Sequence, residues 1–291
     1  MRKPVSVLAE GIGSPEGPCI LPDGRVVFTN TYRSAIVSWD EKHGLRQYAY
    51  TGGAPNACLL GSDGNIYIAN CPTAGSWVAP DRRPPCIQRA APDGKVEIIA
   101  TTADGTALDG PNDLCFGPDG RLYFTDSGDW APATRPHRGR ICVIDRDGAA
   151  HILEELDYAY PNGIVAEADG SIVWVESYTL KMIRRRPGGV KTHIHTFQER
   201  HIPDGFKIDI AGNFWVATVT SGGIDIVSHE GAAMDFLELD AIPLNCVFDG
   251  TSLYVADFGH ADTTGAALMV GRLLRVDAGV RGMPLFSGAI G

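Results

Sequence analysis

The stretch Pro111-Asn112-Asp113-Leu114-Cys115-Phe116-Gly117-Pro118-Asp119-Gly120-Arg121-Leu122-Tyr123-Phe124-Thr125-Asp126 decides the fold, because its pattern recurs along the 291 residues. Asp-Gly ahead of alternating β-branched and aromatic residues marks a tight hairpin, since Gly accepts the positive φ that such turns require. Asp23-Gly24 precedes Arg25-Val-Val-Phe-Thr-Asn30, Asp63-Gly64 precedes Asn65-Ile-Tyr-Ile-Ala-Asn70, and Asp169-Gly170 precedes Ser171-Ile-Val-Trp-Val-Glu176. A fifth copy has Ala211-Gly212 before Asn213-Phe-Trp-Val-Ala-Thr218. Seven residues before each turn stand Glu16, Asn56, Asn112, Asn162 and Asp204, every one preceded by Pro. A sixth copy, Pro243-Leu244-Asn245 before Asp249-Gly250, is shorter and continues into Ser252-Leu-Tyr-Val-Ala-Asp257, with Asn245 as its anchor.

Six copies in 291 residues average about 48 residues each, the size of a propeller blade rather than of a helical repeat. Two further strand-like runs follow each hairpin, at 35–39 and 47–50, 86–90 and 96–101, 140–144 and 151–156, 181–185 and 191–197, 223–227 and 234–239, then 272–276 and 283–286. The expected fold is therefore all-β, a single six-bladed β-propeller over residues 1–291 with four-stranded antiparallel blades around a central channel. The run at 5–8 is left over, and is expected to complete or cover the last blade, since closing the ring removes exposed sheet edges.

Composition agrees with this reading and excludes others. There are 35 glycines and 19 prolines, too many for a mainly helical chain. With 35 acidic against 25 basic side chains the net charge is −10, which disfavours nucleic acid as a partner. No apolar run reaches the length of a membrane span, and the residues after Met1-Arg2-Lys3-Pro4 are too few for a signal-peptide core, so a cytoplasmic protein is expected. Seven cysteines without paired short spacings read as buried, reduced thiols. Nothing in the sequence specifies the oligomeric state.

In a propeller the first strand of every blade lines the channel, so Glu16, Asn56, Asn112, Asn162, Asp204 and Asn245 converge at one mouth. This all-oxygen set suits a hard divalent cation, although Asn and Asp before a strand also make ordinary Asx turns. A second ring, Asn30, Asn70, Asp126, Glu176 and Thr218, is expected at the same mouth. Long connections at 71–85, 127–139 and 258–271 contribute Trp77, Arg82, Arg83, Trp130, Arg135, His137, Phe258 and His260, a mixture able to enclose a small organic molecule.

The chain resembles the six-bladed propellers of the gluconolactonase, regucalcin and luciferin-regenerating-enzyme family over almost its whole length. The motifs that carry the resemblance are Ser14-Pro-Glu16-Gly-Pro18, Tyr160-Pro-Asn162-Gly-Ile-Val with Glu176 and Ile183-Arg184, and Ile202-Pro-Asp204-Gly-Phe with Gly212-Asn-Phe-Trp-Val-Ala. The resemblance implies one divalent metal ion, Ca²⁺, Zn²⁺, Mg²⁺ or Mn²⁺, held by Glu16, Asn162 and Asp204, with Asn112 beside it contacting water or substrate. The diisopropyl fluorophosphatases look similar in this respect. Sugar-lactonase members often carry Arg where this chain has Gly110, so the reaction class transfers better than the substrate.

A metal-dependent hydrolase opening a small-molecule lactone is the leading expectation. Asp204 is its candidate general base, Asn112, Asn56 and Trp130 are candidate substrate contacts, and His201 is a candidate substrate contact or proton shuttle. The absence of a Gly-x-Ser-x-Gly elbow, a His-Glu-x-x-His pair and a P-loop removes sequence support for serine-hydrolase, zincin and nucleotide-binding readings. A phosphotriesterase-like or strictosidine-synthase-like enzyme on the same site, or a non-enzymatic calcium-binding propeller, are the alternatives. His193 with His195 and the run Arg184-Arg185-Arg186 read as solvated blade surface, and Asp145-Arg-Asp147-Gly148 as a further hairpin turn.

Overall fold

The Asp-Gly turns work as their chemistry demands. Asp23, Asp63, Asp119 and Asp169 each accept the backbone N–H two residues on through Oδ1, while the Gly that follows sits at positive φ. In the Ala211-Gly212 copy the carboxylate comes from Asp209 instead, which accepts from the N–H groups of Ala211 and Asn213. The computed structural model describes residues 1–261 and 269–291, except for the side chains of 260, 261 and 269; the His260 side chain and the middle of the 258–271 connection therefore lie outside the described residues.

These hairpins assemble into six four-stranded antiparallel sheets. The innermost strands are Pro15–Ile20, Ala54–Leu60, Pro111–Phe116, Pro161–Ala166, Pro203–Ile208 and Pro243–Asp249, here blades 1 to 6. In blade 6 the N-terminal strand Val5–Ile12 pairs antiparallel with Met269–Asp277, Val5 opposite Val276, and so supplies the outermost strand and closes the ring. Residues 283–286, expected as that outer strand, form none. With the edge already taken by the N-terminus, the C-terminal tail crosses the end of the channel opposite the mouth. Met283 N–H bonds Ile208 O of blade 5, Ser62 N–H of blade 2 bonds Gly288 O, and Gly291 N–H bonds Arg146 O of blade 3.

Adjacent blades are wedged together by one repeated position of the second strand: Phe28, Ile68, Phe124, Trp174, Val216 and Val255, all fully buried. Each packs with residues of the preceding blade, Phe28 with Val247 and Leu273 of blade 6, and Trp174 with Ile141 and Val143 of blade 3. Truncating such a side chain removes transfer free energy and leaves a cavity, about 3–5 kcal/mol for Phe or Trp.

Arg184 departs from the expected surface patch. It is buried and donates to both oxygens of Glu167, at 2.6 and 2.8 Å, with its guanidinium over the ring of Phe214. Arg185 pairs with Glu154, His193 Nε2 lies at His195 O of the same strand, and His195 Nδ1 lies at Gly231 O in the turn before blade 5's outer strand. All seven cysteines are free thiols, five of them buried.

Candidate metal and substrate site

Register fixes which side chains reach the mouth. The prolines at the start of the innermost strands, the first residue in five blades and the second in blade 2, pair with Asn30, Asn70, Asp126, Glu176, Thr218 and Asp257, so one step along lie Glu16, Asn56, Asn112, Asn162, Asp204 and, in blade 6, Leu244. Asn245 is thus not the sixth anchor; it sits one residue deeper. Immediately after the anchor, or at it, every innermost strand shifts register, as a β-bulge does. A bulge re-aims side chains at a rim and sets consecutive residues against a single partner. Here it lets a deeper layer, Asp113 and Asn245, meet beneath the anchors: Asn245 Nδ2 donates to Asp113 Oδ2 at 3.2 Å and to Glu16 Oε1 at 3.5 Å.

The glycines beside the anchors make room for this. A Cβ at Gly205 would lie 2.0 Å from Asn245 Cγ. At Gly17, where φ is +46°, it would lie 2.3 Å from the Ala57 backbone, so both a larger side chain and the backbone angle argue for Gly. Asp113 is the buried acid of this layer that reasoning from the repeat misses, because Gly fills the matching position after Glu16, Asn162 and Asp204; an acid where its repeats keep Gly is the signal that marks it.

Glu16, Asn56, Asn112, Asn162 and Asp204 line one cavity of about 690 Å³ together with Trp130, Tyr160, His137 and Phe258. The amide nitrogens are tied to the protein. Asn56 Nδ2 donates to Asn112 O at 3.3 Å, Asn112 Nδ2 to Tyr160 Oη at 3.4 Å, and Asn162 Nδ2 to Ser177 Oγ at 3.2 Å. That leaves the amide oxygens as the available ends, and Asn112 Oδ1 is buried with no hydrogen-bond partner. Burial, reinforced by the Asp204 and Asp113 charges, holds the Glu16 carboxyl well above the usual range. Burial and then Asp113 do the same for Asp204, and burial raises Asp113 despite the opposing charge of Lys207. Two acids raised by burial and then by neighbouring carboxylate charge, in one cavity with an orphaned amide oxygen, fit a hard divalent cation. Among the described residues no three His, Cys, Asp or Glu side chains converge as a metal cluster, so a cation here would need amide oxygens to complete its ligands.

The second ring does different work. Asp126 accepts from Gly110 N–H at 2.7 Å and pairs with Arg140 at 3.0 Å, Asn70 Nδ2 donates to Gly52 O and Gln88, and Glu176 accepts from Trp174 Nε1. These residues hold the connecting loops and do not line the cavity. His201 is also outside it: its Nδ1 lies 2.8 Å from Asp225 Oδ2 and its ring packs on Phe236. Trp77 packs on Tyr32, Arg83 pairs with Asp81, and Arg135 covers the Tyr178 ring. Gly110 lines the cavity, and a Cβ there would meet the Gly128 backbone at 2.8 Å, so the 127–139 connection fills the place of a side chain.

A family model described as the SMP-30/gluconolactonase/LRE-like region matches residues 14–257. The chain belongs to that family. Members similar to it include a gluconolactonase of Zymomonas mobilis, 22% identical, with 87% of this chain and 78% of the relative covered. Among solved structures, a luciferin-regenerating enzyme superposes with a TM-score of 0.79 at 19% identity, covering 99% of this chain and 100% of the other. A calcium-binding protein, regucalcin, from Agrobacterium tumefaciens superposes at 0.76 and 17% identity, covering 100% and 98%. At such identities the superpositions speak for the fold alone, the propeller described above.

Proposed function

We propose that this propeller is a divalent-metal-dependent hydrolase that opens a small-molecule lactone. The observation that carries the reading is the buried, unpartnered Oδ1 of Asn112 in a cavity that Glu16 and Asp204 also line, both carboxyls being held well above the usual range by burial. Glu16, Asn162 and Asp204 would hold the cation, Ca²⁺ or Zn²⁺ or else Mg²⁺ or Mn²⁺, with Asn112 beside it. What the cation supplies there is Lewis acidity toward the ester carbonyl and a lowered pKa for water. Asp204 takes the proton of the attacking water and returns it to the ring oxygen as the acyl–oxygen bond breaks. Asn112 orients water or the substrate oxygen, Asn56 steadies Asn112 through its backbone carbonyl, and Trp130 closes one side of the cavity. His201 has no part in this scheme. The Zymomonas relative's name supports the reaction class. Seven free thiols suit a reducing compartment such as the cytoplasm, and no helix among the described residues is long and apolar enough to cross a membrane.

The test is lactone hydrolysis followed by pH-stat after chelation and after adding back Ca²⁺, Mn²⁺ or Zn²⁺, with Asp204→Ala as control. Metal-dependent turnover lost in the variant supports the proposal. Metal binding without turnover of any lactone would favour the calcium-binding role that the regucalcin neighbour's description suggests.

A further inference from the structure

Resting on the lactonase reading, we infer that the site selects an uncharged lactone carrying a flat apolar substituent and turns away lactones bearing a phosphate or carboxylate. The first observation is a built aromatic wall. Trp130 keeps 38% of its surface exposed, although its ring stands edge-on to Tyr160 at 4.9 Å and against Tyr178 at 5.0 Å. The Ala131 N–H donates to Tyr178 Oη at 2.9 Å, which pins the backbone beside Trp130. A large ring held in place yet left open to solvent at a cavity is apolar surface awaiting a ligand. Tyr160 offers its ring, since its hydroxyl already serves Asn112. Across the ring of blades, Tyr32 and Phe258 line the same cavity, packed on each other with centroids 6.5 Å apart.

The second observation is charge. No Lys or Arg is among the described residues that line the cavity, and residues 260–269 contain none. His137 is the one lining base among the described residues. Four carboxylates line it: Glu16 and Asp204 serve the cation, and Asp109 is paired with Arg140 at 3.1 Å. Asp129 accepts only neutral donors among the described residues, Thr73 Oγ1 at 2.9 Å and the N–H groups of Gly75 and Trp130, so its charge stays on the rim. An anionic substituent would meet that carboxylate and no guanidinium or ammonium to answer it. The Gly110 backbone, pressed against Gly128, leaves no space for such a group to be supplied there.

The experiment compares kcat/KM for dihydrocoumarin, glucono-δ-lactone and 6-phosphoglucono-δ-lactone by pH-stat, with background hydrolysis subtracted, in Ca²⁺, Mn²⁺ and Zn²⁺. Dihydrocoumarin is expected to lead glucono-δ-lactone by about tenfold, and the phosphorylated lactone to trail by about tenfold more. In Trp130→Ala the ratio of the first two falls about tenfold, with folding checked by thermal melting. Preference for glucono-δ-lactone, comparable turnover of the phosphorylated lactone, or an unchanged ratio in the variant overturns the inference and leaves the lactonase reading standing. No turnover of any of the three in any metal overturns both.

Discussion

The two ends of the central channel are made by the same six strands and have opposite chemistry. At the mouth, each innermost strand bulges, and together they bring carboxylates and amides into a buried layer where burial, and then neighbouring charge, raises the proton affinity of Glu16 and Asp204. At the floor, the same strands present Leu114, Phe116 and Ile164, and the tail seals them with Phe286 and Ile290. The floor obeys the ordinary rule that apolar surface is buried against apolar surface, and the mouth breaks it. Such violations of local consistency are expected where a protein keeps its function, because folding alone would remove them.

Breaking the mouth should give the largest effect. Asp204→Ala is expected to lower kcat/KM by about 10³-fold or more and to abolish tight metal binding, read by pH-stat and by titration calorimetry. The same change should raise the melting temperature in chelator at pH 8, since it deletes a buried charge that no cation then compensates. Loss of activity with unaltered metal affinity would show that Asp204 is a base without being a ligand.

At the floor the pattern should invert. Ile290, 3% exposed, packs with Tyr67 and Phe116, and its N–H donates to Tyr67 Oη at 2.9 Å. Ile290→Ala should therefore lower stability by about 2 kcal/mol in denaturant unfolding while leaving kcat/KM at saturating metal within about twofold. An equal loss of activity would mean that the two ends are mechanically coupled and differ in chemistry alone.

A third measurement sets the ends against each other through pH. Glu16 and Asp204 have folded-state pKa values raised above their unfolded ones, so the stability they contribute is fully present below the ordinary carboxylate range and is lost as pH rises through the raised values. A cation binds the ionised pair, so its stabilising effect should grow with pH. At 100 times Kd it amounts to about 2.7 kcal/mol. Melting in EDTA and in Ca²⁺ should give nearly equal temperatures at pH 4 and a clear separation at pH 8; a separation independent of pH would place the cation away from these two acids.

Much of the mouth is legible in the amino-acid sequence. Prolines in fixed register with four Asp-Gly turns and one Ala-Gly turn locate five anchors because hairpin geometry ties distance along the chain to position on the channel. What escapes depends on departures from that regularity. A bulge has no sequence signature of its own here, so the shortened sixth copy aligns on Asn245 although Leu244 occupies the rim. The second ring faces the loops because its partners, such as the Gly110 N–H and Gln88, are set by tertiary contacts far along the chain. The tail reads as a strand because apolar alternation does not reveal that the N-terminus has already claimed the edge. His201 lies near Asp204 in sequence, yet Asp225 of the third strand holds it outside the cavity.

The smallest expected effect probes how the mouth is held rather than what it holds. Tyr160 is fixed on two sides: its backbone sits at φ 51°, and its ring packs against Trp130 and Tyr178. In Tyr160→Phe the ring therefore stays and only the hydroxyl that accepts from Asn112 Nδ2 is lost. Without that acceptor the Asn112 amide has less reason to keep its nitrogen turned to Tyr160 and its oxygen free. Groups that orient metal ligands typically contribute roughly 10- to 100-fold to affinity, and a 3.4 Å hydrogen bond belongs at or below the weak end of that range. Calcium affinity should accordingly fall by about fivefold in calorimetry, with the melting temperature in chelator unchanged to within about 1 °C. Unchanged affinity would mean that the orientation of Asn112 is set from the Asn56 side, where the contact is to its backbone carbonyl, and that the unpartnered oxygen is a product of strand geometry alone.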